Sequence, residues 1–484
     1  MPPRPHSRAI EAGLILFLLC ACSCAVPLAP GYRITKETRA IEFVAGARPS
    51  LRIRFDYTLQ NSGTTPLEFM DCNFPDPREF GRSGLRVMLD GREVRPEALP
   101  EELRPDNPLT LRIPFAQRWE RGQSRRLEID YTLNSPREMG SSIGIGSDNF
   151  HLGSRGWSAV PQPPRHVLAP FPRRPAKMQY TVRVPADFLI LARGSMNGRK
   201  KLGDEMEYRF ELRKGELPPY VVAGRYIPTG SDSTGAVLWT LRALQGDPAP
   251  AMKELAEAWE TLRKAFGPLD VKVRAPHIVE SPELREHVSG ETGPTAASFP
   301  GGALVNPAAL ALGIDSAGFL DTAAHGLAHN WFGSEMYPNR FAAIGMGEGL
   351  PDYATIVIDE ARNGAAARRT RIAEYLRLYD NACRRADEKP LGVTMLTDPP
   401  GQRRIALAKA PLFFVALEDR YGEAPVREGL RRLVTIMRGE QAGYNELRSA
   451  LEYATGKDMS EPFGRWLYQK GVPDDFRARY GAGK

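Results

Sequence analysis

The stretch that decides the fold of the second half of the chain is 325-HGLAHNWFG-333. It places two histidines, His325 and His329, four residues apart in a run that is rich in alanine. Residues i and i+4 of a helix project from the same face, so the two imidazoles can bind one metal ion. A pair of histidines is a weak indication by itself, and a third ligand is needed.

Glu348 supplies the candidate third ligand. It opens the stretch 348-EGLPDY-353, which follows the histidines after a turn and a loop. A connection of that length can return a second helix against the first. Two neutral histidines and one carboxylate leave the fourth position of a zinc ion open, which is typical of catalytic zinc sites. The sequence therefore predicts a zinc site at His325, His329 and Glu348; the alternative is a pair of packed core histidines.

The pattern His-x-x-x-His-x-Trp-Phe-Gly, followed by Glu348-Gly349, resembles the membrane alanyl aminopeptidase (aminopeptidase N) family of gluzincin zinc metallopeptidases. Further segments resemble that family in the same order: 266–268, 299–301, Lys409 with 412–422, and 466–473. The resemblance covers the second half well and the first half loosely. It implies bound zinc, a thermolysin-like fold for the second half, and a substrate-binding segment that contains Ser298, Phe299 and Gly301.

The chain departs from the family at the catalytic positions. The family has a glutamate directly after the first histidine as general base, where this chain has Gly326. The tyrosine that stabilises the oxyanion in the family maps to Leu407 by its spacing to Lys409, and the glutamate that holds the substrate amine maps to Ser298. We therefore expect a zinc-binding homologue without ordinary peptidase activity, in which Gly326 leaves the space beside the metal empty.

The sequence leaves two other functional hypotheses open: an active zinc peptidase with a relocated base, and an interaction module without metal. An active zinc peptidase would need a relocated base, for which Glu291 and Glu335 are the candidates. The alternative for both is an ordinary carboxylate on the surface. Asp352 lies one turn after Glu348, where it either accepts a hydrogen bond from a ligand histidine or lies on the helix surface. The last reading is an interaction module that binds no metal.

The composition predicts a globular α+β protein with more than one domain. The chain has 484 residues, of which 42% are hydrophobic. Apolar and polar residues alternate in segments such as 51–59 and 127–133, and Asp90-Gly91 is a hairpin signal, so we expect a β-rich, sandwich-like domain at 31–235. Helical periodicity follows, first at 252–266, and predicts a mainly α, thermolysin-like domain at 245–484.

The N-terminus and the charge predict where the protein acts. Arginines precede a short apolar run and small residues, which indicates an export signal at 1–21. Residues 19–22, Leu-Cys-Ala-Cys, resemble a bacterial lipoprotein box with Cys22 as the lipidated residue; the alternative is simple cleavage near Ala25. We expect a protein of the bacterial cell envelope, anchored to a membrane by lipid. The net charge of +7 is scattered, which argues against nucleic acid. The resemblance to zinc peptidases implies a peptide or protein as ligand.

Overall fold

The structure of the chain is a computed structural model. The structure describes residues 31–75, 77, 81–99, 110–134, 143–153, 156–162, 177–213, 219–230, 235–244, 246–270, 273–284 and 295–481. The predicted export signal at 1–21 and the predicted lipidation site, Cys22, lie outside these residues. Within them, no helix is both long enough and apolar enough to span a membrane.

The first half of the chain is built from strands that form three sheets. In chain order the strands are β1 (Arg33–Val44), β2 (Ser50–Gln60), β3 (Leu67–Asn73), β4 (Arg82–Leu89), β5 (Arg92–Glu93), β6 (Glu97–Ala98), β7 (Thr110–Trp119), β8 (Ser124–Asn134), β9 (Ile143–Ile145), β10 (Asn149–Leu152), β11 (Val160–Gln162), β12 (Lys177–Pro185), β13 (Leu189–Ala192), β14 (Ser195–Leu202), β15 (Glu205–Arg213) and β16 (Val221–Gly224). The described strands form an eight-stranded sheet, β14-β15-β12-β1-β2-β8-β4-β5, and two four-stranded sheets, β13-β16-β10-β9 and β11-β3-β7-β6.

Alternation of apolar and polar residues accounts for the large sheet. In β2 and β8, alternate side chains such as Ile53, Phe55 and Ile129 are fully buried, while their neighbours face outward. The three sheets share one hydrophobic core. The predicted hairpin between β4 and β5 is confirmed: Asp90 and Gly91 have φ values of 50° and 78°, which a tight two-residue turn requires.

The second half has a five-stranded sheet with helices packed on it, and a separate pair of short strands. Its strands are β17 (Ile227–Thr229), β18 (Val237–Thr240), β19 (His277–Glu280), β20 (Ala296–Phe299) and β21 (Gly302–Val305), in the order β17-β18-β19-β21-β20; β22 (Tyr337–Pro338) pairs with β23 (Gln441–Ala442). The α-helices are α1 (Ala249–Phe266), α2 (Pro307–Leu310), α3 (Ala317–Ala328), α4 (Gly349–Cys383), α5 (Pro400–Tyr421), α6 (Glu423–Ile436), α7 (Tyr444–Thr455), α8 (Ser460–Leu467) and α9 (Asp474–Tyr480). Wide π-type turns span Asn330–Glu335 and Ala343–Glu348, and a 3-10 turn spans Leu391–Val393.

The order of a strand-rich half followed by a mainly helical half agrees with the sequence. The first predicted helix is confirmed as α1, which ends at Gly267 with a φ of 88°. Its apolar stripe joins the core of the second half. A smaller apolar cluster contains Val222 of β16 together with Val279 and Leu304 of the five-stranded sheet, so it joins the two halves of the chain.

Helix α4 is broken at Gly364. The backbone there has φ 79° and ψ −177°, a conformation that essentially only glycine adopts. The second part of α4 folds back on the first, and Arg371 fixes this arrangement through ion pairs of 2.7 Å to Asp359 and 2.8 Å to Asp321 of α3. The break therefore brings the C-terminal part of α4 alongside the part that carries Asp352 and directly follows Glu348.

Candidate metal centre

Helix α3 presents the two histidines because its ends are fixed. Ser316 caps its N-terminus, where the Ser316 hydroxyl accepts a hydrogen bond of 3.1 Å from the backbone of Phe319. At its C-terminus the amide of buried Asn330 accepts a hydrogen bond from Gly301 N–H and donates to the carbonyls of Gly302 and Leu327. Asn330 thus ties the end of the metal helix to the turn between β20 and β21.

The side chains of His325, His329 and Glu348 bring three possible metal-binding atoms together. His325 Nε2 lies 3.0 Å from His329 Nε2 and 3.3 Å from Glu348 Oε2, and His329 Nε2 lies 3.5 Å from Glu348 Oε2. Ligand atoms about 2.0–2.2 Å from a tetrahedral zinc ion are about 3.3–3.5 Å apart, so the spacing fits one such ion. All three side chains keep some exposure to solvent, from 14% to 23%, which leaves access to the centre.

Asp352 lies behind the first histidine. His325 Nδ1–H donates a hydrogen bond of 2.8 Å to Asp352 Oδ1, so Nε2 is the ring nitrogen at the donor cluster, where either a proton or a metal ion can bind. Burial lowers the pKa of His325, but the carboxylates of Asp352 and Glu348 outweigh burial and raise it to about 10. The electrostatics therefore favour positive charge where the three donor atoms meet, which is the requirement for a divalent cation.

The space at Gly326 is filled. A Cβ atom at Gly326 would lie 2.7 Å from the Cβ of Ala296 and 3.0 Å from the Cβ of Ala303, because the helix lies directly on β20 and β21. A side chain at position 326 would therefore meet the sheet at its first carbon. Glycine allows close packing of the helix on the sheet, and Ala296 occupies the place where a side chain at position 326 would begin.

The residues assigned to substrate binding lie next to each other at the end of β20. The Ser298 hydroxyl lies 2.8 Å from the Ser334 hydroxyl, within hydrogen-bonding distance. Phe299 is buried and packs on Tyr220, with ring centroids 5.5 Å apart. Gly301, with a φ of 99°, forms the turn that Asn330 holds. The contacts of Phe299 and Gly301 are thus structural, and Ser298 carries no charge that would hold an ammonium group.

Leu407 lies in the wall of a cavity of about 450 Å³ between α4 and α5. Asp352 and Tyr375 line the same cavity, and burial together with the Asp352 charge raises the pKa of Tyr375 well above its usual range. Sequence reasoning missed this cavity and Tyr375. The one signal that could have found them is Asn363-Gly364, a turn dipeptide inside a helical pattern.

Of the two candidates for a relocated base, Glu335 is among the described residues and has a defined environment. Glu335 is almost fully buried, with 2% of its side chain exposed; its carboxylate accepts a 2.9 Å hydrogen bond from Asp270 N–H and pairs with Arg438 at 2.8 Å. Burial raises the pKa of Glu335. These contacts commit the carboxylate to a structural role. Glu291 lies outside the described residues.

Comparison with known proteins reveals the fold. No protein-family model matches the sequence, and no curated protein matches it. Crystal structures of an M1 zinc metallopeptidase from Deinococcus radiodurans are similar in structure. A Glu-to-Ala mutant has a TM-score of 0.62 and 16% identity, covering 92% of this chain and 96% of that chain.

Two related crystal structures are similar to this chain to the same degree. A Glu-to-Ala mutant with bound Tyr-Ser-Ala substrate has a TM-score of 0.62 and 16% identity, and covers 92% of this chain and 95% of that chain. A structure without the mutation has a TM-score of 0.61 and 15% identity, with the same coverage. The chain therefore has the two-domain fold of M1 zinc metallopeptidases, and the predicted α+β fold class is confirmed.

Proposed function

We propose that this protein is a member of the M1 aminopeptidase family that binds zinc through His325, His329 and Glu348 and binds peptides without ordinary aminopeptidase turnover. Zinc in a site of two histidines and one glutamate polarises a carbonyl and lowers the pKa of bound water. Whether a bound zinc ion supports hydrolysis depends on the residues at the general-base and oxyanion positions, 326 and 407.

The position of Ala296, 2.7 Å from where a Cβ atom at Gly326 would lie, carries the proposal. A general base contributes on the order of 10²–10⁴ to the rate. Position 326, where the family places it, has no carboxylate, and the first carbon of a side chain there would lie 2.7 Å from the Cβ of Ala296. An oxyanion donor contributes on the order of 10²–10³, and Leu407 cannot donate a hydrogen bond. The two losses need not multiply, because groups that act on one transition state are not additive.

A peptide is the ligand that the fold supports best. The similar metallopeptidase from Deinococcus radiodurans has been crystallised with the tripeptide Tyr-Ser-Ala as substrate. In this chain the three donor side chains are partly exposed. Asp352, which accepts a hydrogen bond from His325, lines the cavity that also contains Leu407. A zinc centre with this access can bind a peptide carbonyl even where the general base is missing.

Elemental analysis combined with a hydrolysis screen tests the proposal. We expect about one zinc per chain in the wild type and little zinc in His329→Ala. His277→Ala serves as a matched control, because His277 is a half-buried histidine that contacts Trp239 instead of the donor cluster. The wild type should bind short peptides in calorimetry and show negligible hydrolysis of aminoacyl substrates.

Two results would contradict the proposal in different ways. Equal, negligible zinc in the wild type and His329→Ala would remove the metal centre and favour a metal-free interaction module. Zinc-dependent hydrolysis at an ordinary enzymatic rate would show an active peptidase with a relocated base. In that case Glu335→Gln and Glu291→Gln would identify the base by loss of turnover with zinc content unchanged.

A further inference from the structure

A row of basic side chains crosses the eight-stranded sheet near the end at which β1 begins. Lys36 of β1 lies opposite Thr58 of β2, and Thr58 lies opposite Arg126 of β8. On the other side of β1, the parallel register with β12 places Lys177 beside Lys36. All three basic side chains are exposed. Because neighbouring strands lie about 4.8 Å apart, the three cations follow one line across the sheet.

Two arginines lie beyond this row, closer to the end of the sheet. Arg33 is the first residue of β1, and its guanidinium donates a hydrogen bond of 2.9 Å to the neutral amide of Gln60. Arg121 is exposed in the turn that precedes β8. Among the residues that the structure describes, Arg33, Lys36 and Arg121 form no ion pair. We call these three residues the basic end; its charge stays positive when Glu120, the exposed neighbour of Arg121, is included.

The carboxylates on this face of the sheet lie one row further from the end. Asp56 and Glu128 are opposite each other in that row, and Glu211 of β15 lies in the same row. Arg126 forms ion pairs of 2.7 Å with Asp56 and 2.6 Å with Glu128. Lys177 forms an ion pair of 3.2 Å with Glu211. These ion pairs run back along the strands, so a surface that approaches this end of the sheet meets the cations first.

The chain enters the sheet at the same end. Gly31 lies just before β1, where its carbonyl accepts a hydrogen bond of 3.2 Å from Gly63 N–H. Eight residues lie between Gly31 and Cys22, the predicted lipidation site, and a chain of that length spans at most about 30 Å. The 12 residues of β1 extend about 40 Å to the opposite end of the sheet. A lipid on Cys22 therefore holds the basic end, and not the opposite end, near the bilayer.

We propose that the basic end docks on an anionic lipid surface and orients the anchored protein on the membrane. The inference goes beyond the peptide-binding function and rests on the lipid anchor at Cys22. Each basic residue near an anionic membrane strengthens binding by about fivefold. The attraction falls off within a Debye length, about 8 Å at physiological ionic strength, so it acts only on residues that the anchor brings close to the headgroups. Arg33, Lys36 and Arg121 meet that condition together.

Amine labelling of the lipidated protein in vesicles tests the inference. The vesicles contain phosphatidylcholine alone or equal parts of phosphatidylcholine and phosphatidylglycerol, and mass spectrometry follows the acetylation of each lysine. We expect Lys36 to react about tenfold more slowly on the anionic vesicles than on the neutral ones. Lys200, an exposed lysine of β14 near the opposite end of the sheet, should react equally on both. Salt at about 1 M should remove the difference at Lys36, because it shortens the Debye length to about 3 Å.

Charge variants identify the residues responsible. Arg33→Gln with Arg121→Gln leaves Lys36 as the reporter and should reduce its protection to less than about twofold. Arg199→Gln with Lys201→Gln is the matched control, since it removes two exposed charges from β14 near the opposite end; it should retain the protection.

The possible failures are distinguishable. Equal labelling of Lys36 on neutral and anionic vesicles overturns the docking surface, and so does protection of Lys200 in place of Lys36. The mass of the N-terminal peptide is measured in the same samples. A protein without lipid overturns both the anchor and this inference, whereas a lipidated protein with an unprotected Lys36 overturns this inference alone. Neither result affects the peptide-binding function, which is measured by calorimetry.

Discussion

Ala296 of β20 lies where a side chain at position 326 would begin: a Cβ atom on Gly326 would be 2.7 Å from the Ala296 Cβ. A second contact, with the Cβ of Ala303, would be 3.0 Å. The glycine that replaces the family's glutamate at position 326 therefore matches the close packing of α3 on the sheet. A single substitution cannot reverse it without a change in the strand.

The first prediction is that Gly326→Ala destabilises the protein. Alanine improves helix propensity by about 1 kcal/mol, but overpacking a buried contact costs about 1–3 kcal/mol. Chemical denaturation should show a net loss of up to about 2 kcal/mol. In an Ala296→Gly background the same substitution should cost less, because the shorter contact is removed. Equal costs in both backgrounds would mean that β20 does not lie against the helix in this way.

The second prediction concerns Asp352. Asp352→Asn keeps all three donor atoms but removes the charge that accepts the His325 Nδ1–H hydrogen bond. Losing such a partner typically weakens metal binding about tenfold to hundredfold, which competition with a chelator would measure. Asp387→Asn, at an exposed carboxylate outside the centre, should leave the affinity unchanged. Unchanged zinc affinity in Asp352→Asn would argue against His325 as a ligand.

The third prediction is that Gly364→Ala destabilises the fold. The backbone at Gly364 costs a residue with a Cβ about 1–3 kcal/mol, so thermal unfolding should shift downward. Gly464→Ala is the matched control, because Gly464 lies inside α8 with open space around it. That variant should stabilise by about 0.5–1 kcal/mol. The opposite signs of the two glycine variants would isolate the role of the break in α4.

The sequence predicts those parts of the fold that local patterns specify. Alternation specifies β2 and β8, and the spacing of His325, His329 and Glu348 specifies the donor set, since each signal lies within a short segment. Contacts between distant segments leave no such signal. Nothing in the run around Gly326 says that Ala296 lies against it.

The break in α4 is a second feature that the sequence alone could not predict. Asp352 and Tyr375 would be about 35 Å apart on a continuous helix, yet they line one cavity because the chain reverses at Gly364. One glycine in a helical pattern is usually tolerated without a reversal, so the sequence could not distinguish a long helix from a helical hairpin. The cavity follows from that reversal and could not be predicted either.

The fourth prediction concerns the anchor, for which we propose lipidation at Cys22 in the cell envelope. Cys22→Ala should block lipid attachment and release or stall the precursor, which fractionation and mass spectrometry would show. Cys24→Ala is the matched control and should be processed normally. An unmodified mature N-terminus at or beyond Ala25 in the native protein would replace the lipid anchor with simple secretion.

The last prediction is that turnover can be restored only when packing and chemistry are changed together. Gly326→Glu alone should misfold or remain inactive, because the new side chain meets Ala296 and Ala303 at its first carbon. Gly326→Glu with Ala296→Gly makes room for a proton acceptor beside the metal centre, and Leu407→Tyr adds an oxyanion donor. We expect the triple variant to hydrolyse aminoacyl substrates detectably and each partial combination to do so less, since base and donor stabilise the same transition state. Recovery should remain partial, because Ser298 cannot hold the ammonium group of the substrate. The wild type provides the decisive comparison: a zinc-dependent kcat of about 1 per second or more would show that the protein already has a base. The triple variant would then be slower than the wild type instead of faster.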